Sequence, residues 1–177
     1  MKLKAGDPFP DISVTLDSGE IAPLTQTKQA GCDWKLIVFY RGQHCPMCTR
    51  YLNTLEQVKN TLQETGIDII AVSADSKAQL SQHKPALNVS FDLAYGLTLE
   101  QMEQLGLYIS NPRSAQETDH RFAEPGIFVI NEKNELHVVD ISNNPFVRPD
   151  IATLISGLQW IRNPDNHYPI RGTYQGH

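Results

Sequence analysis

The sequence predicts a mixed α/β sandwich, and three observations carry that expectation. The run Lys35-Leu-Ile-Val-Phe-Tyr40 is apolar on both faces, as a central strand covered by helices on each side must be. From Pro46 to Glu64 the apolar residues Tyr51, Leu55, Val58 and Leu62 recur at steps of four, three and four, so they share one face of a helix. A second strand-like run, Ile67-Asp-Ile-Ile-Ala-Val72, follows directly after Gly66. Strand, helix and strand in succession imply parallel strands joined by right-handed crossovers.

The remaining elements follow in order. After the Pro-rich entry Asp7-Pro-Phe-Pro10, Ile12-Ser-Val-Thr-Leu16 alternates apolar and polar like a half-buried strand, and Asp17-Ser-Gly-Glu20 is a turn. Gly66 stops the helix that begins at Pro46. Ser76 with Gln79 forms a capping box for a helix limited by Pro85. Thr98 with Gln101 repeats the pattern before a short helix carrying Leu99, Met102 and Leu105, closed by Gly106. Gly126-Ile-Phe-Val-Ile130, the turn Asn131–Asn134 and Leu136-His-Val-Val-Asp-Ile141 read as a hairpin, which adds antiparallel strands at one side. Pro149 opens a last helix whose stripe is Ile151, Leu154, Ile155, Leu158 and Ile161, ended by Asn163-Pro164. Residues 1–163 are expected as one unit; residues 164–177 form a tail without periodicity, either mobile or packed as a strap.

Composition narrows the function. A chain of 177 residues, 40% hydrophobic and 20% charged, can bury a core without disulfide or metal staples. A formal net charge of -5 supplies no general basic field for nucleic acid or an anionic membrane. The longest purely apolar run, Leu36–Tyr40, falls far short of the ~20 residues of a membrane helix. The start, Met1-Lys-Leu-Lys-Ala-Gly-Asp-Pro8, lacks the apolar stretch and cleavage site of a secretory signal. The expectation is a soluble protein of the cytoplasm.

Three cysteines do not make a secreted disulfide framework, and two of them stand as Cys45-Pro-Met-Cys48. Between a buried strand and an amphipathic helix, Cys45 falls at the helix N-cap and Pro46 at the first helical position. Unpaired N–H groups and the positive helix end there favour a thiolate, so Cys45 becomes nucleophilic near neutral pH. Arg41 and His44 lie close enough in sequence to add positive charge. Cys48, one turn later, can close a disulfide onto Cys45 and is expected to be the more buried resolving thiol. A structural zinc needs four ligands, and no second CxxC or HxxxH pair exists. Haem attachment needs His directly after Cys48, where Thr49 stands. Two inert core cysteines are the remaining alternative. Cys32 precedes the buried strand, at ~3.3 Å per residue more than about 20 Å from Cys45, beyond disulfide reach. It reads as a bystander thiol.

The segments Tyr40-Arg-Gly-Gln-His-Cys-Pro-Met-Cys48, after a buried strand, and Glu124-Pro-Gly-Ile-Phe-Val-Ile-Asn131 resemble the thioredoxin fold. With Ala5-Gly-Asp-Pro-Phe-Pro10, Pro145-Phe-Val-Arg-Pro149 and Tyr168-Pro-Ile-Arg-Gly172, the chain is similar to the peroxiredoxin-like proteins of the AhpC/TSA (alkyl hydroperoxide reductase and thiol-specific antioxidant) family. The resemblance implies a thioredoxin-like, three-layer sandwich with a mixed central sheet. It makes Cys45 the peroxidatic or attacking cysteine and Cys48 the resolving one. Pro125 matches the proline, cis in this fold, that presents backbone groups to substrate; a trans proline starting a strand is the other reading. Arg41, Arg113, Arg121 and Arg148 compete for the arginine near the thiolate, and Arg148 is favoured because it lies in the matching Pro-Phe-Val-Arg-Pro segment. Two positions depart: Val38 stands where the peroxidatic motif has Pro, and Gly42 where it has Thr or Ser. The missing hydroxyl weighs against fast peroxide reduction and leaves dithiol–disulfide exchange untouched.

The expected activity is therefore hydroperoxide reduction through a Cys45/Cys48 cycle. The alternatives are a disulfide oxidoreductase acting on protein or small-molecule disulfides, and a non-enzymatic binding module with a redox switch. No GxGxxG fingerprint appears, so no cofactor is expected and electrons would come from thioredoxin, glutaredoxin or glutathione. A homodimer is compatible with this reading.

Overall fold

A computed structural model describes residues 3–176. In chain order its strands and α-helices are β1 (Ser13–Leu16), β2 (Ile21–Pro23), β3 (Trp34–Phe39), α1 (Pro46–Gln57), α2 (Lys59–Glu64), β4 (Ile67–Val72), α3 (Lys77–His83), β5 (Asp92–Tyr95), α4 (Leu99–Gln104), β6 (Ile109–Ser110), β7 (Phe122–Ala123), β8 (Gly126–Ile130), β9 (Leu136–Ile141) and α5 (Ile151–Arg162). Seven strands make one sheet in the order β2-β1-β5-β4-β3-β8-β9. The predicted crossovers are present: β3, β4 and β5 are parallel, while β8 and β9 run antiparallel at one side and β1 and β2 at the other. Strands β6 and β7 form a separate pair.

Every residue of β3 is buried. Successive side chains of a strand point to opposite faces, and β3 accordingly divides two cores. Leu36 and Val38 join Leu52 and Leu55 of α1, Leu62 of α2, Leu80 of α3 and Ile155 of α5. Ile37 and Phe39 join Phe9, Ile12 and the α4 residue Met102 on the other face. The sandwich thus has three layers, α1, α2, α3 and α5 over the sheet, and α4 with the N-terminal segment beneath it. Burying one of these aliphatic side chains contributes about 1.5–3 kcal/mol.

Two capping boxes, Ser76 with Gln79 and Thr98 with Gln101, form as predicted. The structure corrects other expectations. The single helix over 46–64 breaks at Val58 (φ -108°, ψ 8°), whose N–H turns to Leu55 O at 3.1 Å. A β-branched residue gives up helical geometry at little cost, and the break separates α1 from α2. Pro149 precedes the last helix rather than opening it, because the Asp150 carboxylate accepts Thr153 N–H at 3.0 Å and is the N-cap. Strand β5 escapes the periodicity reading because it is short and begins with Asp92; the edge strand β2 has only three residues. The tail starts with a 3₁₀ turn, Pro164–Asn166, and Tyr168 packs edge-on against Trp160 at 5.0 Å.

The register positions the site. Phe39 pairs with Val72 of β4 on one side and with Gly126 of β8 on the other. The carboxyl end of β3 therefore meets the residues following β4 and those preceding β8. A Cβ on Gly126 would lie 2.5 Å from Leu107 Cδ2, so only glycine brings β8 this close.

Candidate active site

Tyr40 extends β3 by one bond, its N–H donating to Val72 O at 3.1 Å. The chain then turns through Arg41-Gly-Gln-His44 into α1, with Cys45 as N-cap and Pro46 at the first helical position, as predicted. Cys48 N–H donates to Cys45 Sγ at 3.3 Å. A thiolate is what a helix N-terminus with orphan N–H groups stabilises. The Cys45 thiol is pulled down to about 6, first by the Cys48 S–H bonded to it, then by the Cys48 N–H and by the Arg41 guanidinium, against the opposing effect of burial. Cys48 is pushed up, because its proton is held by Cys45 and because it is buried. Cys45 is the acidic thiol of the pair and Cys48 holds the proton.

Arg41 is held from two sides and its charge acts on Cys45. Its Nε lies 2.9 Å from Glu124 Oε1, and its guanidinium stacks 4.8 Å over the Phe122 ring. Glu124 is raised by burial, and the Arg41 charge offsets only part of that effect. Glu124 arrives from the segment before β8, held by its N–H to Tyr108 O at 2.8 Å. His44 packs against the same Phe122 ring at 4.5 Å, and burial with the neighbouring Arg41 charge lowers its pKa, which keeps it neutral.

The other predicted residues lie as follows. The arginine at Cys45 is Arg41, correcting the preference for Arg148. Arg148 stacks 4.5 Å over Tyr51, bonds Pro145 O through Nη2, and its charge acts on Cys48. The loop 142–150 reaches α1 from the Cys48 side, which is why sequence similarity in Pro-Phe-Val-Arg-Pro did not place Arg148 at the thiolate. Pro125 is trans, since no cis peptide bond occurs among the described residues. Its carbonyl accepts Ser142 N–H at 2.9 Å, so it serves the β8–β9 ladder. Arg113 pairs with Glu117 and Arg121 with Asn111. Cys32 lies at the opposite end of β3, near Gln63 O at 3.9 Å. All three cysteines are free thiols. Among the described residues no group of three His, Cys, Asp or Glu side chains could hold a metal ion.

Sequence reading missed Glu124 and Asp75. Asp75 is fully buried and accepts Gln43 N–H at 2.8 Å. A signal existed: residues just beyond the carboxyl ends of adjacent parallel strands converge on one edge, and Asp75 stands three positions after β4.

Comparison with known proteins bears on the family and the fold. Residues 5–139 match the AhpC/TSA family. The chain belongs to that family. It is thereby a peroxiredoxin-like thiol oxidoreductase. Solved structures share the fold: a cysteine-to-serine mutant of peroxiredoxin 6 from Arenicola marina (TM-score 0.75, 13% identity, covering 92% of this chain and 75% of that one). The reduced 2-Cys peroxiredoxin of Plasmodium vivax follows (0.73, 13% identity, 93% and 85%), with AhpC of Mycobacterium tuberculosis (0.72, 16% identity, 93% and 96%). A search of curated protein sequences gives no match.

Proposed function

We propose that the protein reduces hydroperoxides through a Cys45/Cys48 dithiol–disulfide cycle. The observation that carries this reading is the Cys48 N–H at 3.3 Å from Cys45 Sγ, which pairs a stabilised thiolate with a protonated thiol one helical turn away. The Cys45 thiolate attacks the terminal oxygen of the peroxide; the O–O bond breaks, the alkoxide takes a proton and leaves as alcohol, and Cys45 becomes a sulfenic acid. Cys48 then attacks the Cys45 sulfur, water leaves, and the disulfide forms. A thiol reductant of the thioredoxin, glutaredoxin or glutathione class returns both cysteines to thiols. The Arg41 charge favours the thiolate and, fixed by Glu124 and Phe122, also favours charge developing on the departing oxygen. Arg148, acting on Cys48, assists the resolving step.

Cys45 is only 2% exposed, so its access is narrow and suits the end of a hydroperoxide better than a protein disulfide. A second reading, thiol–disulfide exchange, is favoured by Gly42, which lacks the hydroxyl of the peroxidatic motif. No helix among the described residues is long and apolar enough to cross a membrane. The cycle as proposed works in the reducing cytoplasm, where thiol reductants are at hand. The redox unit occupies residues 1–163, with 164–177 as its tail, and pairing of two copies is compatible with it.

Stopped-flow mixing with hydrogen peroxide and a dithiol tests the first reading. Turnover at least 100-fold above Cys45→Ser is expected on the scale of an activated nucleophile; turnover equal to Cys45→Ser contradicts it. Insulin reduction tests the second reading, and failure of Cys48→Ser to trap any disulfide-linked species counts against it.

A further inference from the structure

The loop that delivers Cys45 to α1 is not held by its own contacts alone. Asp75, fully buried, places one carboxylate oxygen on Gln43 N–H at 2.8 Å and the other 3.1 Å from His120 Nε2. A Cβ on Gly42 would lie 2.5 Å from Asp75 Oδ1, and Gly42 has φ +133°, so the carboxylate fills the space that a larger residue would need. The Gly42 carbonyl in turn accepts Cys45 N–H at 3.2 Å. A continuous path of bonds therefore runs from His120 through Asp75, Gln43 and Gly42 to the attacking residue.

The hydrogens along this path can be counted. His120 Nδ1 lies 2.7 Å from Arg121 O, and a carbonyl oxygen only accepts, so Nδ1 carries a hydrogen. A carboxylate also only accepts, so the 3.1 Å contact between Nε2 and Asp75 needs a second hydrogen, on the ring or on the carboxyl. One proton is shared between a buried acid and an imidazole whose side chain is 23% exposed. The pair is neutral as a unit, which lets the carboxylate sit fully buried beside the thiolate loop without an uncompensated charge.

We propose that Asp75, locked by a proton shared with His120, is the positioning residue of the Cys45 loop and takes up the place left by the absent hydroxyl side chain at Gly42. This rests on Cys45 being the reactive thiol. The groups that face Asp75 besides His120 are His44 from the same loop, His83 from α3 and Tyr40 at the end of β3. Cys45 itself faces Arg41 and Cys48, with Glu124 behind Arg41. None of these lies on the bonds from Asp75 to Gln43 and from Gly42 to Cys45, so removing Asp75 loosens the loop while leaving Arg41 in place.

The sign of the response separates holding from charge. Asp75→Ala frees Gln43 N–H and lets Cys45 drift off the helix end; Asp75→Asn keeps both contacts, Oδ1 accepting Gln43 N–H and Nδ2 donating to a neutral His120 Nε2. The experiment is iodoacetamide alkylation of Cys45 against pH, resolved by peptide mass spectrometry, with thermal melting to establish folding and peroxide turnover with dithiothreitol run in parallel. Alkylation needs no peroxide, so a failed positioning role and a failed peroxidase reading give different patterns. Asp75→Ala is expected to raise the Cys45 midpoint from about 6 by about one unit, about a fivefold loss of alkylation rate near pH 6. His120→Ala, which leaves the core acid in place, is expected to lower the alkylation rate near pH 6 about threefold by a midpoint shift in the same direction, and it carries the test should Asp75→Ala not fold. Asp75→Asn is expected to restore the wild-type profile. Unchanged midpoints in the folded Ala variants overturn the proposal. So does a midpoint in Asp75→Asn displaced from wild type as far as in Asp75→Ala, in either direction.

Discussion

The two ends of β3 carry buried cysteines with opposite chemistry. Cys32, before the strand, is 9% exposed, and burial raises its pKa, with the carboxylates of Asp68 and Asp33 adding to the rise. Cys45, after the strand, is 2% exposed and yet titrates near 6. Burial acts in the same direction on both thiols, so burial does not make a cysteine reactive. The difference lies in what faces the sulfur. Cys45 has a helix N–H, a donating thiol and a guanidinium, whereas Cys32 has the Gln63 carbonyl and two acids, whose effect with burial outweighs the opposing Arg162 charge.

Replacing the reactive end is the most severe way to break this contrast. Cys45→Ser is expected to abolish peroxide turnover, a loss of ~10³-fold or more for an activated nucleophile, measured with dithiothreitol as reductant. Cys48→Ser is expected to retain the first turnover and stop there, leaving a sulfenic acid that dimedone labels.

Removing the cation sharpens the comparison by making Cys45 more like Cys32. Arg41→Gln is expected to raise the Cys45 midpoint by about one unit and slow alkylation near pH 6 about fivefold. It also leaves Glu124, whose side chain is 4% exposed, without its partner. That costs about 3–5 kcal/mol when the lone charge stays buried. The double variant Arg41→Gln/Glu124→Gln should recover most of the stability in urea unfolding and none of the thiolate.

A smaller effect is read in pH. The folded Cys45 value of about 6 lies below the ~8.5 of an unfolded cysteine. Ionisation therefore stabilises the reduced fold in full above pH ~8.5, and this contribution is lost as pH falls through about 6. The stability difference between reduced wild type and Cys45→Ser is expected to shrink from pH 8.5 to pH 5. The smallest effect belongs to the other end of the strand: Cys32→Ser should leave turnover within about twofold, in line with an ordinary site away from the chemistry.

Much of this architecture is legible in the chain. The both-faces apolar run of β3 and the two capping boxes are local signals, and each appears where it is read; the stripe from Tyr51 to Leu62 is local too, but the break at Val58 divides it between α1 and α2. Cys45 at the N-cap is local too, because Pro46 marks the first helical position. The arginine at the thiolate is not. Arg41 and Arg148 are both near a cysteine in space, and which one reaches Cys45 depends on the Glu124 and Phe122 side chains brought in by β7 and β8. Asp75 is hidden for the same reason: its contact with Gln43 spans 32 residues and exists only once β3 and β4 pair in register. Gly42 reads in sequence as a missing hydroxyl, while in the fold it is the opening that Asp75 fills.

The central claim, that Cys45 and Cys48 act together and Cys32 stands apart, is tested most directly by peptide mass spectrometry after one equivalent of hydrogen peroxide. The expected product is a Cys45–Cys48 disulfide with Cys32 still a free thiol. A sulfinic acid on Cys45 with Cys48 reduced, or any disulfide that contains Cys32, contradicts it.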